Sequence, residues 1–151
     1  MKVVTFLAVL LFVCSACDSS KSALEPENQN YETLVIQYEA NTRGFYHKLV
    51  VQNHTISSTN DRKGIKIPII QKISDSDWNV LLSEFNKVNL ENLPNLKPPT
   101  QKRLYDGAAI AELKITLKRK TFATTSFDHG NPPLEIQKVV EIVNSLFKAE
   151  E

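Results

Sequence analysis

The sequence predicts a two-layer α+β domain, an antiparallel sheet of about five strands packed on two helices in the order β-β-β-α-β-β-α. Two patterns carry this prediction. Apolar and polar residues alternate with period two at 31–40, 45–51, 65–69, 109–117 and 121–127, whereas 75–88 and 132–147 repeat apolar residues at helical spacing. A chain of 151 residues, 42% hydrophobic and 23% charged, is long enough for one core of ordinary size. The domain is expected over 31–149.

A leader precedes it. Lys2 is followed by an apolar run over 3–13 and by small residues at Ser15 and Ala16, the layout of a signal peptide over 1–16. A spanning helix would need roughly 20 apolar residues. Cys17 follows Cys14-Ser15-Ala16 directly, and this run resembles a bacterial lipobox. In such signals the cysteine thiol receives a diacylglycerol, a peptidase cuts before it, and the new amino terminus is usually acylated as well. The position held here by Cys14 is more often Leu, and plain secretory cleavage near Ala16 is the alternative. The resemblance implies a bacterial cell-envelope protein held to a membrane, inner or outer, by lipid on Cys17. Two or three acyl chains anchor firmly, since one chain binds marginally and each buried methylene adds about 0.8 kcal/mol.

Both cysteines lie in the leader or at its edge, so cleavage leaves at most Cys17. Disulfides, CxxC redox motifs and cysteine-ligated zinc are therefore excluded for the mature domain. Removing Lys2 leaves 17 basic residues (18 − 1) against 17 acidic ones. A chain so close to neutral gives no general attraction for nucleic acid.

Residues 17–30 are polar after the cysteine, with one proline and no periodicity, and read as a tether. As a coil of about 13 residues it would span roughly 20 Å. Leu34, Ile36 and Tyr38 share one face of the first strand. Asn41-Thr42-Arg43-Gly44 turns into the second, where Phe45, His47, Leu49 and Val51 share a face. Ile65, Ile67 and Ile69 alternate with Lys66 and Pro68 in a third strand, which Pro68 assigns to an edge or a bulge because it cannot donate to a ladder. Ser74 to Asp77 offer N-cap candidates for a helix whose apolar stripe is Trp78, Leu81, Leu82, Phe85 and Val88. Leu90, Leu93 and Leu96, interrupted by Pro94, continue the packing as an irregular segment. After Asp106-Gly107, a strand with Ala109, Ala111, Leu113, Ile115 and Leu117 on one face turns at Arg119-Lys120 into a return strand ending at Phe127. Asn131 is the expected N-cap of the closing helix, with Pro132 at its first position and Ile136, Val139, Val140, Val143, Leu146 and Phe147 facing the core.

Asp128-His129-Gly130 is the most site-like tripeptide. A carboxylate beside a histidine can orient it as a base, and Asp106 would join them as an acid/base or metal cluster if the two ends of the hairpin meet. The bland reading makes Asp128 an Asx-type turn and His129-Gly130 a chain reversal into the helix. His47 and His54 lack a partner at ligand spacing, and no nucleophile motif or phosphate-binding glycine loop is present, so no cofactor and no metal are expected. Lys102, Arg103, Lys118, Arg119 and Lys120 are candidate binding residues for anionic head groups or an acidic polymer; the alternative is a solvated hairpin face whose lysines discourage strand addition.

The words Tyr105-Asp106-Gly107-Ala108, the 113–117 strand with its basic turn, and Phe127-Asp128-His129-Gly130 with Pro132-Pro133 and a closing helix resemble a family of small uncharacterised bacterial lipoproteins of the Bacteroidetes type, carrying a domain of unknown function. The resemblance covers 31–147. It implies an α+β envelope domain and no activity. The expectation is a membrane-anchored module that binds an envelope protein or small ligand without catalysis, with an exposed apolar patch on a sheet face or in the 89–103 loop. The alternative is a small hydrolase or metal-dependent enzyme using Asp106, Asp128 and His129.

Overall fold

The computed structural model describes residues 31–148. The leader, Cys17 with its tether, and 149–151 lie outside the described residues. A short 3-10 helix, Tyr31–Thr33, leads into β1 (Val35–Thr42). Then come β2 (Phe45–Gln52), β3 (Thr55–Thr59), β4 (Ile69–Lys72) and α1 (Asp75–Phe85), followed by β5 (Ile110–Leu117), β6 (Lys120–Ala123), β7 (Phe127–Asp128) and α2 (Gln137–Leu146). The sheet is antiparallel in the order β4-β3-β2-β1-β5-β6, with β7 pairing the start of β5. The predicted α+β fold is therefore present, with seven strands rather than about five.

Two tight hairpins set the register. Asn53 and His54 have φ of 47° and 56°, and Lys118 and Arg119 have φ of 48° and 67°. Such positive pairs give the turn twist that matches the strands. Period-two alternation then sends Leu34, Ile36, Tyr38, Leu49, Val51, Ile56, Leu113 and Ile115 inward, where Trp78, Leu81 and Phe85 of α1 and Val139, Val140 and Val143 of α2 cover them. Burying each large apolar side chain contributes about 1.5–3 kcal/mol. The surface pairs Lys87–Glu84 and Lys138–Glu141 are screened by water and add little. The core decides stability. Ser74 caps α1 as expected, its hydroxyl accepting from the Asp77 N–H at 3.1 Å.

Three expectations change in the folded chain. The third strand expected over 65–69 does not form as such: an additional strand, β3, pairs with β2, residues 60–68 leave the sheet as an arm, and only from Ile69 does the chain pair again, as the edge β4. The return strand of the second hairpin breaks at Thr124, whose Oγ1 takes the Leu113 N–H at 3.1 Å while its own N–H donates to the Leu113 carbonyl. The ladder resumes only at β7. The closing helix starts later than Pro132, through a 3-10 turn over Leu134–Ile136, because Pro133 forces the preceding residue out of helical geometry. Asn131 instead closes a turn, its N–H donating to the Asp128 carbonyl at 2.8 Å.

Candidate functional site

Successive residues of a strand face opposite ways, so in β7 Phe127 enters the core while Asp128 points to the other side. The 3-10 helix Lys102–Tyr105 waits there with unpaired N–H groups. Asp128 satisfies them. It accepts from the backbone N–H of Lys102 at 2.7 Å and of Arg103 at 3.0 Å, from the Thr100 hydroxyl at 2.6 Å, and from the Arg103 guanidinium at 3.2 Å. The residue is fully buried. Burial alone would raise its carboxyl; the bonds from Thr100, Arg103 and Lys102 outweigh it and hold the group at about 2. Asp128 is a permanent carboxylate fastening 100–103 to the sheet, and its oxygens are occupied by those donors.

His129 turns away from Asp128. Its Nδ1 lies 2.7 Å from the Tyr38 hydroxyl, and its ring leans on Tyr38 and Phe45. Burial, reinforced by nearby His47, pushes its pKa below the ordinary imidazole value, so the ring is neutral at pH 7. Burial also raises the Tyr38 phenol to about 12, against a lowering bond from the Gly130 N–H. The phenol and Nδ1 share one hydrogen bond, in which the phenol donates when the ring proton sits on Nε2 and accepts when it sits on Nδ1. A hollow of about 310 Å3 opens beside Tyr38, His129, Gly130 and Val140. This pair can donate a hydrogen bond, but no carboxylate orients it as a base. Asp106 is the exposed left-handed cap of the Lys102–Tyr105 helix, with φ 58°. Among the described residues, no three His, Cys, Asp or Glu side chains are grouped to hold a metal ion.

The basic candidates divide. Arg103 is consumed by Asp128, the Thr100 carbonyl and the Ser126 hydroxyl. Lys120 pairs with Glu91 at 2.6 Å and lies over the Phe122 ring. Lys102 contributes its backbone N–H to Asp128, and Lys118 and Arg119 form the exposed hairpin turn. In the 89–103 loop Leu93 and Leu96 are buried, so an apolar patch does not lie there.

Exposed isoleucines lie instead on the arm and in β4 just after it. Ile65, Ile67, Ile69 and Ile70 are 79%, 91%, 60% and 66% exposed. The arm is nonetheless fastened at its base. The Asp61 carboxylate accepts from the N–H groups of Lys63, Ile65 and Lys66 at 2.7–2.9 Å, and Gly64 supplies the positive φ of 68° that the turn requires. The Arg62 guanidinium donates to the carbonyls of Thr42 and Phe45 at 2.7 and 3.1 Å, tying the arm to the β1–β2 turn. Beside it a hollow of about 480 Å3 is lined by Ser58, Asn60, Ile67, Ile69, Gln71 and Phe147. The Ile65, Ile67, Ile69 alternation was the available signal, but a face kept for a partner alternates in the same way as one packed on its own core.

The N–H groups of Lys66, first, and Lys63 hold the Asp61 carboxyl below the ordinary carboxylate range. Replacing it should loosen the arm alone. In Asp61→Ala, amide exchange at Lys63, Ile65 and Lys66 is expected to quicken, while the urea unfolding midpoint stays close to that of the native chain. Unchanged exchange at these amides would show that the carboxylate does not hold the arm. In the native chain its contribution is present above the ordinary carboxylate pKa and is lost as pH falls below it.

Compared with known families and with curated proteins, the chain matches no family model and no curated sequence.

Proposed function

We propose that the protein is a lipid-anchored lipoprotein of the bacterial cell envelope whose domain binds a protein partner through the isoleucine arm and performs no catalysis. Membership of the small Bacteroidetes-type lipoprotein family belongs to the same proposal, as does acylation of Cys17. The observation that carries the binding reading is the set of four exposed isoleucines, Ile65 and Ile67 on the hydrogen-bonded arm and Ile69 and Ile70 in the edge strand β4 that follows it. Leaving one such side chain in water forgoes about 1.5–3 kcal/mol of burial. A fastened base keeps the patch formed before binding, which lowers the ordering entropy a partner must overcome. The hydrolase alternative needs Asp128 as a base, ligand or orienting group, and that carboxylate already accepts four bonds.

A photo-crosslinking residue at position 67, compared in intact native cells with the same residue at exposed position 135, tests this reading. A discrete protein adduct is expected from 67 and not from 135; its absence at 67 would sink the proposal. For the anchor, a labelled fatty-acid precursor should enter the wild-type protein and not Cys17→Ala. Label retained by Cys17→Ala would overturn it.

A further inference from the structure

The sheet ends differently at its two sides. The 3-10 helix Leu90–Asn95 packs against β6, where Glu91 also pairs with Lys120. At the other side β4 is the last strand, and among the described residues no strand pairs beyond it. The Ile73 N–H donates to the His54 carbonyl across the β3 side at 2.8 Å. Antiparallel alternation then turns the N–H and C=O groups of Ile70 and Lys72 outward. Open main-chain groups on an apolar edge are a template for a further strand.

We infer that β4 is the acceptor edge for an extended segment of the partner protein, which adds as a strand beside Ile69–Lys72 and places alternate apolar side chains over the Ile67–Ile69–Phe147 hollow. This deepens the binding reading above and rests on it. Three observations select such an occupant. The outward N–H and C=O groups of Ile70 and Lys72 are spaced as a neighbouring strand would pair with them. The hollow of about 480 Å3 adjoins the same edge and is lined by Ile67, Ile69, Gln71 and Phe147, so every second residue of an added strand would face it. The Gln71 amide already holds main chain there: its Nε2 donates to the Lys148 carbonyl at 2.7 Å and its Oε1 accepts from the Lys148 N–H at 3.2 Å. Lys63 and Lys66 of the arm and Lys72 of β4 stand against Asp61, whose carboxylate accepts from three N–H groups, so acidic residues flanking the apolar alternation fit best.

The test selects binders from a displayed random-peptide library on the purified protein and compares Ile70→Pro with Ile70→Ala. Proline at 70 removes an outward N–H and leaves the β3 ladder intact, whereas alanine shortens the side chain and keeps the N–H. Selected peptides should alternate apolar residues with period two, carry acidic flanks and shift the amide resonances of Ile70 and Lys72. They should bind Ile70→Pro about tenfold more weakly than Ile70→Ala, the loss of one main-chain hydrogen bond. If Ile70→Pro does not fold, N-methylation along the selected peptide on the wild-type protein should weaken binding at one set of alternate residues only. Equal binding to the two variants, helically spaced peptides, or no selected peptide would overturn strand addition. So would edge-to-edge self-association, or binding to anionic vesicles as the sole use of the isoleucines. An adduct at 67 in cells together with equal binding to the two variants removes this inference and leaves the partner-binding reading intact.

Discussion

Asp128→Ala is expected to destabilise the domain by about 3–5 kcal/mol, the range for breaking a buried ion pair by removing one partner. The substitution strips partners from the Thr100 hydroxyl, the N–H groups of Lys102 and Arg103, and the mostly buried Arg103 guanidinium. Leaving buried donors unpaired costs more than their bonds contribute net. Asp128→Asn should fall between the two, because the amide keeps one acceptor but turns its NH2 toward donors. Urea unfolding at neutral pH checks both, and a loss below about 1 kcal/mol for Asp128→Ala would show that 100–103 is held by other contacts. The pH dependence follows from the depressed carboxyl. Its folded pKa of about 2 lies below the ordinary value of 3.8, so its contribution is full above that value and is lost as pH falls through 2. The acid limb of the stability curve should therefore flatten in Asp128→Ala.

Phe127→Ala, one residue earlier, should cost about 3–5 kcal/mol for a different reason. Phe127 is wholly buried, with its ring 6.3 Å from that of Tyr38 and tilted by 37°. Truncation opens a cavity between the two-residue β7 and the sheet, on the face of β7 opposite the Asp128 bonds to 100–103. Phe127→Leu should lose less than half as much, since it keeps most of the apolar volume. Unfolding in urea with an unchanged slope is the expected form. A Phe127→Ala loss no larger than that of Phe127→Leu would mean that the site collapses without a void. Because the two residues are adjacent, the double variant should not sum the single effects.

Much of this fold was legible in the sequence. Tyr38, Leu113 and Trp78 lie where their periods placed them, and Ser74 caps the helix it was expected to cap. Pro68 announced an edge, and β4 is one. The breaks were harder to read. Thr124 interrupts a strand by offering its hydroxyl in place of a backbone group, and local alternation does not register such a substitution. The site was harder still. Asp128 and His129 are neighbours in the chain and face opposite sides of it, one tied to 100–103 and the other to Tyr38.

Sequence alone determined the α+β class, the core faces of the first strands and of the helices, and the Ser74 cap, because these depend on spacing within a few turns or strand steps. Only the tertiary structure decided that Asp128 is occupied by Thr100, Lys102 and Arg103, and that Ile65, Ile67, Ile69 and Ile70 face water instead of the core. Both outcomes depend on what the fold sets opposite each side chain. The donors opposite Asp128 lie more than 20 residues away in the chain, and no strand of the described domain pairs beyond β4 to cover the isoleucines.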